Sequence, residues 1–186
     1  MRLLDSDTRS GDDCLYVDSC QDDLSMLRSP VDLFDLRVIH LVRDIRSWLP
    51  RRVGSARSEG KHFSSFRNAF RWFYVNQKFS KVFRQSGVPV LRVGYEELAL
   101  RPEFTLRLIC QWLDLDYAQQ MLSPGLYSKS HILLGNRVRQ QGDHNRRIVY
   151  DASWLRDGGL RLTSFLVSLP FVAKMNRDLV YSNNIL

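Results

Sequence analysis

The chain has 186 residues, of which 44% are hydrophobic and 25% are charged, a composition typical of one soluble globular domain. Its three cysteines lack a CxxC spacing and its four histidines form no HExxH pair, which argues against a disulfide framework and against a metal site. The net charge of +7 and the excess of arginine over lysine, 22 to five, favour an anionic partner, because a guanidinium binds phosphate or sulfate through two hydrogen bonds.

The first predicted elements are short. Residues 1–13 are polar and acidic, so we expect a loose lead-in, with the domain itself at residues 14–186. Residues 14–17 predict a strand, and residues 22–29 predict a short helix that ends before Pro30. The lead-in lacks the apolar region of a signal peptide, and no apolar run approaches the roughly 20 residues that span a bilayer. With the odd cysteine count, this favours a cytoplasmic protein.

The next strand ends at a basic residue. Residues 37–42, RVIHLV, predict a strand buried in a parallel sheet, and Arg43 follows at its carboxyl end. Ligands of open α/β sheets bind at that end, and a helix starting just after Arg43 would add free N–H groups. The sequence therefore predicts an anion site, for phosphate or sulfate, around Arg43.

Strands and helices alternate through the rest of the chain. Residues 66–83 have the spacing of a helix with one apolar face, and residues 90–93 predict a third strand. Further helices are predicted from Pro102 and over residues 152–177. This alternation indicates an α/β fold with a parallel sheet. We expect four aromatic residues of the first of these helices to belong to the core: Phe66, Phe70, Phe73 and Tyr74.

Four segments, taken in order, resemble the sulfotransferases that use 3′-phosphoadenosine-5′-phosphosulfate (PAPS), most closely the bacterial-type and carbohydrate members. They are YVDSCQ at 16–21, VIHLVRDIRSWLPRR at 38–52, VPVLRVGYEELALRPEFTLRLICQWLDL at 88–115 and HILLGNRVR at 131–139. Three later positions also match the pattern: Ile148, Trp154 and Tyr181. Each motif alone is common, so the specificity of the resemblance lies in their order and spacing.

The resemblance implies a three-layer α/β fold with a parallel sheet, related to the P-loop nucleotide kinases. It also implies transfer of a sulfuryl group from PAPS to a hydroxyl or amine of a carbohydrate or small-molecule acceptor, without a metal. The matching motifs give the residues expected to bind the nucleotide: Arg43, Ser47, Arg51, Gly135, Asn136 and Arg139. No catalytic residue is assigned.

The sequence departs from the family pattern at several places. Residues 1–13 do not resemble the glycine-rich 5′-phosphosulfate loop, so we expect an N-terminally incomplete domain, and an inactive fragment is one interpretation. Gln21 stands where the family has a lysine, and Ile45 stands where it has a proline. Arg51 occupies a position where the family often has a serine, which leaves Ser47 or Ser55 for the hydroxyl role.

Each candidate residue has a structural alternative. Arg43 could pair with Asp44 or another carboxylate, and Arg51 could lie on a solvated helix face beside Arg52. The GNRVR stretch, which also contains Arg137, could be a basic surface loop. We expect structural roles for Glu96 and Glu97 at the YEEL turn, and for His40 inside the second strand. His131 is a weak candidate for a catalytic base.

Two other functions compete with sulfuryl transfer. A non-catalytic basic binder of nucleic acid or another polyanion would explain the positive charge, but no helix-turn-helix, zinc-finger or aromatic RNA-binding motif is visible. A P-loop kinase is disfavoured because the chain contains no GxxxxGK[ST] motif.

Overall fold

The computed structural model divides the chain into two compact units, Met1–Leu36 and Arg37–Leu186. The structure describes these residues: 3–4, 15–17, 24, 27, 35–50, 65–123, 148–156 and 169–181. In the first unit, β1 (Leu3–Leu4) pairs antiparallel with β2 (Leu15–Tyr16). The strand predicted at 14–17 is therefore present in shorter form but pairs antiparallel, contrary to the expectation that it joins a parallel sheet. An apolar tetrapeptide carries no information about its pairing partner.

The second unit contains a parallel pair of strands. β3 (Val38–Val42) and β4 (Val90–Gly94) lie in register, with Val38 opposite Val90 and Val42 opposite Gly94. Both strands were predicted from short apolar runs, and both are confirmed. In the described part of the chain this sheet has two strands, one fewer than expected.

Helices precede and follow β4. α1 is helical over the described residues 45–50, and it begins two residues after Arg43. The remaining helices are α2 (Ser65–Ser86), α3 (Tyr95–Leu100), α4 (Pro102–Trp112), a 3₁₀ turn (Gln119–Leu122), α5 (Ser153–Arg156) and α6 (Pro170–Val180). Proline at the first position starts both α4 and α6, where its missing N–H costs no helical hydrogen bond. No described helix is long and apolar enough to cross a membrane.

The core lies around the carboxyl end of β3. Ile45 and Leu49, four residues apart on α1, are almost fully buried beside Trp72 of α2. α6 contributes further apolar side chains, including Leu179 and Val180. The turn after β3 is therefore held between α2 and α6, and the side chains that leave this turn have defined positions.

Gly94 allows the end of β4 to approach α6. A Cβ atom at this position would overlap the carbonyl oxygen of Val180. The backbone of Gly94 is extended, with φ −77° and ψ 135°, so close approach is the reason for glycine here. This contact brings the carboxyl end of the sheet to the C-terminal end of α6.

Among the described residues, β3 is covered on one face. His40 and Val42 are buried, whereas Ile39 and Leu41 are 40% and 52% exposed. The expectation of a buried strand is therefore met on one face of β3 and not on the other. A continuous apolar run indicates a strand, but it does not reveal which face has a covering layer.

The prediction that four aromatic side chains of α2 belong to the core is wrong for three of them. Phe66, Phe70 and Tyr74 are 59%, 69% and 57% exposed, while Ala69 and Trp72 are buried instead. Phe73 is half-buried and packs against the core, as expected. Apolar residues occur around much of the circumference of α2, so periodicity does not specify a single buried face.

Candidate functional site

The candidate site is the turn between β3 and α1, where Arg43 follows the strand. The Nε atom of Arg43 donates a hydrogen bond to the Oγ atom of Ser47 at 2.9 Å. The two side chains meet because Ser47 lies in the first turn of α1, four residues later. The structure thus brings together two of the residues that the sequence analysis assigned to the nucleotide.

Two further side chains orient the Arg43 guanidinium. Its carbon atom lies 4.5 Å from the ring centre of Tyr95, a cation–π contact, and its Nη2 atom lies 3.3 Å from the Oδ2 atom of Asp151. The backbone carbonyl of Arg43 accepts a hydrogen bond from Trp72 Nε1 at 3.1 Å. The Arg43 side chain is 17% exposed, and its Nη1 atom has no partner among the described residues.

The alternative of a carboxylate partner for Arg43 is therefore realised by Asp151, and Asp44 pairs elsewhere. Asp44 is buried and accepts three side-chain hydrogen bonds from Arg46, from Nε at 3.0 and 3.1 Å and from Nη2 at 2.6 Å. The hydroxyl of Tyr181 donates to the same carboxylate at 2.9 Å. Arg46 and Tyr181 leave Asp44 little capacity to bind Arg43.

The pKa shifts in this cluster follow from burial and pairing. Burial raises the pKa of Asp44, but hydrogen bonds from Arg46 and Asn176 outweigh burial, so the net pKa lies below its usual value. The hydrogen bond to Asp44 raises the pKa of Arg46. Burial, assisted by the Asp44 charge, raises the pKa of Tyr181. At neutral pH the cluster is an ion pair with a protonated tyrosine.

The amide groups at the start of α1 are already bonded to protein atoms. The N–H groups of Asp44 and Ile45 donate to Glu96 Oε2 and Asn176 Oδ1, both at 3.0 Å. The Arg46 N–H donates to Asp44 Oδ1 at 2.7 Å, and the amides of the next two residues donate to the Asp44 carbonyl. The expectation that free helix amides bind the anion is wrong here, because side chains from other elements cap them.

Glu96 has the structural role that the sequence analysis favoured. Its buried carboxylate accepts the Asp44 N–H and, at 2.7 Å, the hydroxyl of Ser47. The Ser47 hydroxyl can donate to Glu96 or, at 3.1 Å, to the Asp44 carbonyl, and in either case its oxygen can accept the hydrogen bond from Arg43. Glu97 also acts locally, since its Oε2 atom accepts the Gly94 N–H at 3.3 Å.

His40 belongs to the core, as expected. It is buried edge-on against Phe79 and Phe83, with ring centres 6.0 and 5.1 Å away. Burial, with a smaller contribution from the Arg92 charge, lowers the pKa of His40 to about 4. The imidazole is therefore neutral at physiological pH and is enclosed by aromatic rings, an unsuitable place for a catalytic base.

Several of the predicted site residues lie outside the described residues: Arg51, Gly135, Asn136 and Arg139, together with Arg52, Ser55, Arg137 and His131. No group of metal-ligating side chains occurs in the part of the chain that the structure describes.

The sequence analysis did not single out Tyr95, Asp151 or Asn176. Tyr95 follows the carboxyl end of β4, so the rule that placed Arg43 in the site would also have indicated Tyr95. Asp151 and Asn176 reach the turn from positions more than 100 residues along the chain. No local pattern marks residues at such a separation.

Comparison with known proteins gives one match. Residues 34–119 match a family model described as the sulfotransferase family. No curated protein and no solved structure matches the chain. The matched range contains β3, β4 and α2–α4, together with Arg43, Ser47 and Tyr95.

Proposed function

We propose that the chain, whose residues 34–119 match the sulfotransferase family model, transfers a sulfuryl group from PAPS to a hydroxyl or amine acceptor. The observation that carries this proposal is the position of Arg43. Its guanidinium projects beyond the carboxyl end of β3, where α/β sheets bind their ligands, and is oriented by Ser47 and Tyr95.

The donor groups present suit the 3′-phosphate of the nucleotide. A guanidinium offers planar N–H groups that match two phosphate oxygens, and Nη1 of Arg43 has none of its hydrogen bonds taken by described residues. The amides of α1 do not take part, since protein side chains cap them. We therefore assign recognition of this phosphate to side chains, with Arg43 as its centre.

Asp151 sets the charge of the site before the nucleotide binds. Its contact with Arg43 Nη2, at 3.3 Å, is long for a charge-assisted hydrogen bond, whose usual length is about 2.8 Å. An arriving phosphate competes with this carboxylate for the guanidinium. Asp151 thereby weakens the affinity for the nucleotide, and it partly compensates the charge of Arg43 when no nucleotide is bound.

The proposed mechanism depends on orientation and charge. PAPS, when bound, supplies the sulfuryl group, and the acceptor takes it by in-line displacement, as in phosphoryl transfer. Arg43 holds the nucleotide by a phosphate distant from the reacting sulfur, and Ser47 and Tyr95 restrict the rotation of the guanidinium. These three residues contribute to the rate because the energy of binding the phosphate holds the sulfuryl donor in a fixed position.

The remaining assignments complete the proposal. Arg51, Gly135, Asn136 and Arg139 are proposed as further contacts to the nucleotide, from the motifs that carry the resemblance. The acceptor is proposed to be a carbohydrate or a small molecule, and the reaction to take place in the cytoplasm.

Calorimetry with adenosine 3′,5′-bisphosphate, the product nucleotide, tests this function. We expect binding by the wild type, a loss of at least about tenfold in affinity for Arg43→Ala, and no change for Arg84→Ala, which removes an equal charge from an exposed position. Absence of binding by the folded wild type, or equal affinities of the two variants, would contradict the proposal. Transfer from sulfur-labelled PAPS then tests catalysis separately.

A further inference from the structure

α2 exposes a line of aromatic side chains that the candidate site does not use. The aromatic stripe, defined as Phe66, Phe70 and Tyr74, repeats every four residues, so its members lie on one side of the helix. Each is more than half exposed, and the rings of Phe70 and Tyr74 stack with their centres 6.4 Å apart. Trp72, which packs into the core, lies on the other side of the helix.

α6 extends the exposed aromatic surface. Phe171, at the start of α6, is 57% exposed and meets Phe73 of α2 edge-to-face, with ring centres 5.5 Å apart. Lys174, one turn later on α6, is also exposed. The surface therefore consists of aromatic side chains from two packed helices, with a basic residue at its margin.

The charge of α2 restricts the kind of partner. This helix has no acidic residue, and its second half carries Lys78, Lys81 and Arg84. Lys81 follows Phe70 by eleven residues, about three turns, so it projects on the same side as the aromatic stripe. Lys78 is also exposed. The outward side of α2 is thus aromatic in its first half and basic in its second.

We propose that this outward side of α2, with Phe171, docks the protein on an anionic membrane surface. Phenyl rings without polar groups gain free energy on entering the boundary between headgroups and acyl chains, and lysines beside them bind the lipid phosphates. The stripe lies on the outer surface of a helix and lines no groove among the described residues. A flat bilayer can contact such a surface along its length, whereas single-stranded nucleic acid is bound in grooves.

Vesicle sedimentation with the full chain provides the test. We expect the protein to sediment with vesicles of phosphatidylcholine and phosphatidylglycerol in equal parts, and to remain in solution with vesicles of phosphatidylcholine alone. The variant with Phe66→Gln, Phe70→Gln and Tyr74→Gln should lose about tenfold or more in partitioning to anionic vesicles. The variant with Lys78→Gln and Lys81→Gln should bind less and should lose most of the remaining dependence on salt.

A matched control separates this surface from general hydrophobicity. Leu100→Gln with Phe104→Gln removes two other exposed apolar side chains, on α3 and α4, and should leave vesicle binding unchanged. The proposal is overturned if the wild type ignores anionic vesicles, or if the aromatic variant binds them as well as the wild type. The second outcome would assign the basic residues to a soluble polyanion such as nucleic acid. Neither result bears on nucleotide binding at Arg43.

Discussion

Arg43 and Arg46 lie three residues apart, at the junction of β3 and α1, and they differ in how fully protein groups bind their guanidinium groups. Arg46 donates three side-chain hydrogen bonds to the buried Asp44 carboxylate and one more to the hydroxyl of Tyr181, the residue after α6. Arg43 faces Tyr95 and Asp151, with one neutral hydrogen bond, one long ionic contact and an Nη1 atom without a described partner. The charge of Arg46 is therefore neutralised by a buried carboxylate, whereas that of Arg43 is only partly compensated.

The difference shows how one strand end can serve both the fold and a ligand. Asn176, Glu96 and Asp44 cap the amides of α1 and fix the backbone of the turn. Because the backbone is fixed from this side, the side chain on the other side needs few contacts to stay in place. We therefore expect substitutions on the α6 side to change stability, and substitutions on the Tyr95 side to change nucleotide binding.

Removing the central carboxylate should have the largest effect. Asp44→Ala leaves Arg46 and Tyr181 without their partner and uncaps α1, so we expect a loss of about 3 kcal/mol in the free energy of unfolding. Chemical denaturation measures this loss. Asp178→Ala, which breaks an exposed ion pair with Arg177, is the control and should cost well under about 1 kcal/mol. Similar losses of stability for the two variants would contradict the claim that the contacts on the α6 side stabilise the fold.

The buried imidazole should make stability depend on pH. Because the pKa of His40 is lowered to about 4 in the fold, from 6.5 when unfolded, the unfolded chain binds the proton first as pH falls. Its contribution is present above pH 6.5 and is lost as pH falls toward 4, which amounts to about 2 kcal/mol between pH 7 and pH 5. Denaturation of His40→Leu over this range should show a flatter profile than the wild type. Parallel profiles would contradict a neutral, buried imidazole.

Gly94 tests the contact between β4 and α6. Gly94→Ala forces the new methyl group against the Val180 carbonyl, and we expect destabilisation of about 1.5 kcal/mol. Gly87→Ala is the matched control. Its φ of +69° is unfavourable for alanine but no atom lies within 4 Å of the new methyl, so its cost comes from backbone strain of about 1 kcal/mol. The order of the two losses would be reversed if Gly94 did not contact α6.

Asp151 offers the smallest expected effect, on the binding side. Asp151→Asn removes a charge that competes for Arg43, so affinity for adenosine 3′,5′-bisphosphate should rise by about fivefold while stability changes little. Asp178→Asn, which removes an exposed carboxylate of α6, should leave affinity unchanged. A lower affinity for Asp151→Asn would mean that Asp151 positions Arg43 for the phosphate.

The sequence predicted the parts of this molecule that depend on neighbouring residues. The apolar runs identified β3 and β4, and the residue after β3 identified Arg43. Ser47, in the first turn of the helix that was expected just after Arg43, is close enough in the chain to reach it. These inferences succeed because strand pairing and helix geometry are regular over short distances.

Other features depend on contacts that no local pattern contains. α2 has apolar residues around most of its circumference, so the position of α6 and β3 decides that Trp72 is buried and Phe70 is exposed. The amides of α1 were expected to be free, but Asn176 and Glu96 bind them from other elements. Asp151 reaches Arg43 in the same way. Each of these outcomes requires the tertiary arrangement.

The central claim is that the Arg43 guanidinium binds the 3′-phosphate of the nucleotide. Calorimetric titrations of the wild type and Arg43→Ala, each with adenosine 3′,5′-bisphosphate and with adenosine 5′-monophosphate, isolate this contact. The wild type should bind the bisphosphate at least about tenfold more tightly, and Arg43→Ala should bind the two nucleotides equally. If Arg43→Ala keeps the wild-type preference for the bisphosphate, the 3′-phosphate lies elsewhere and the assignment of this turn is wrong.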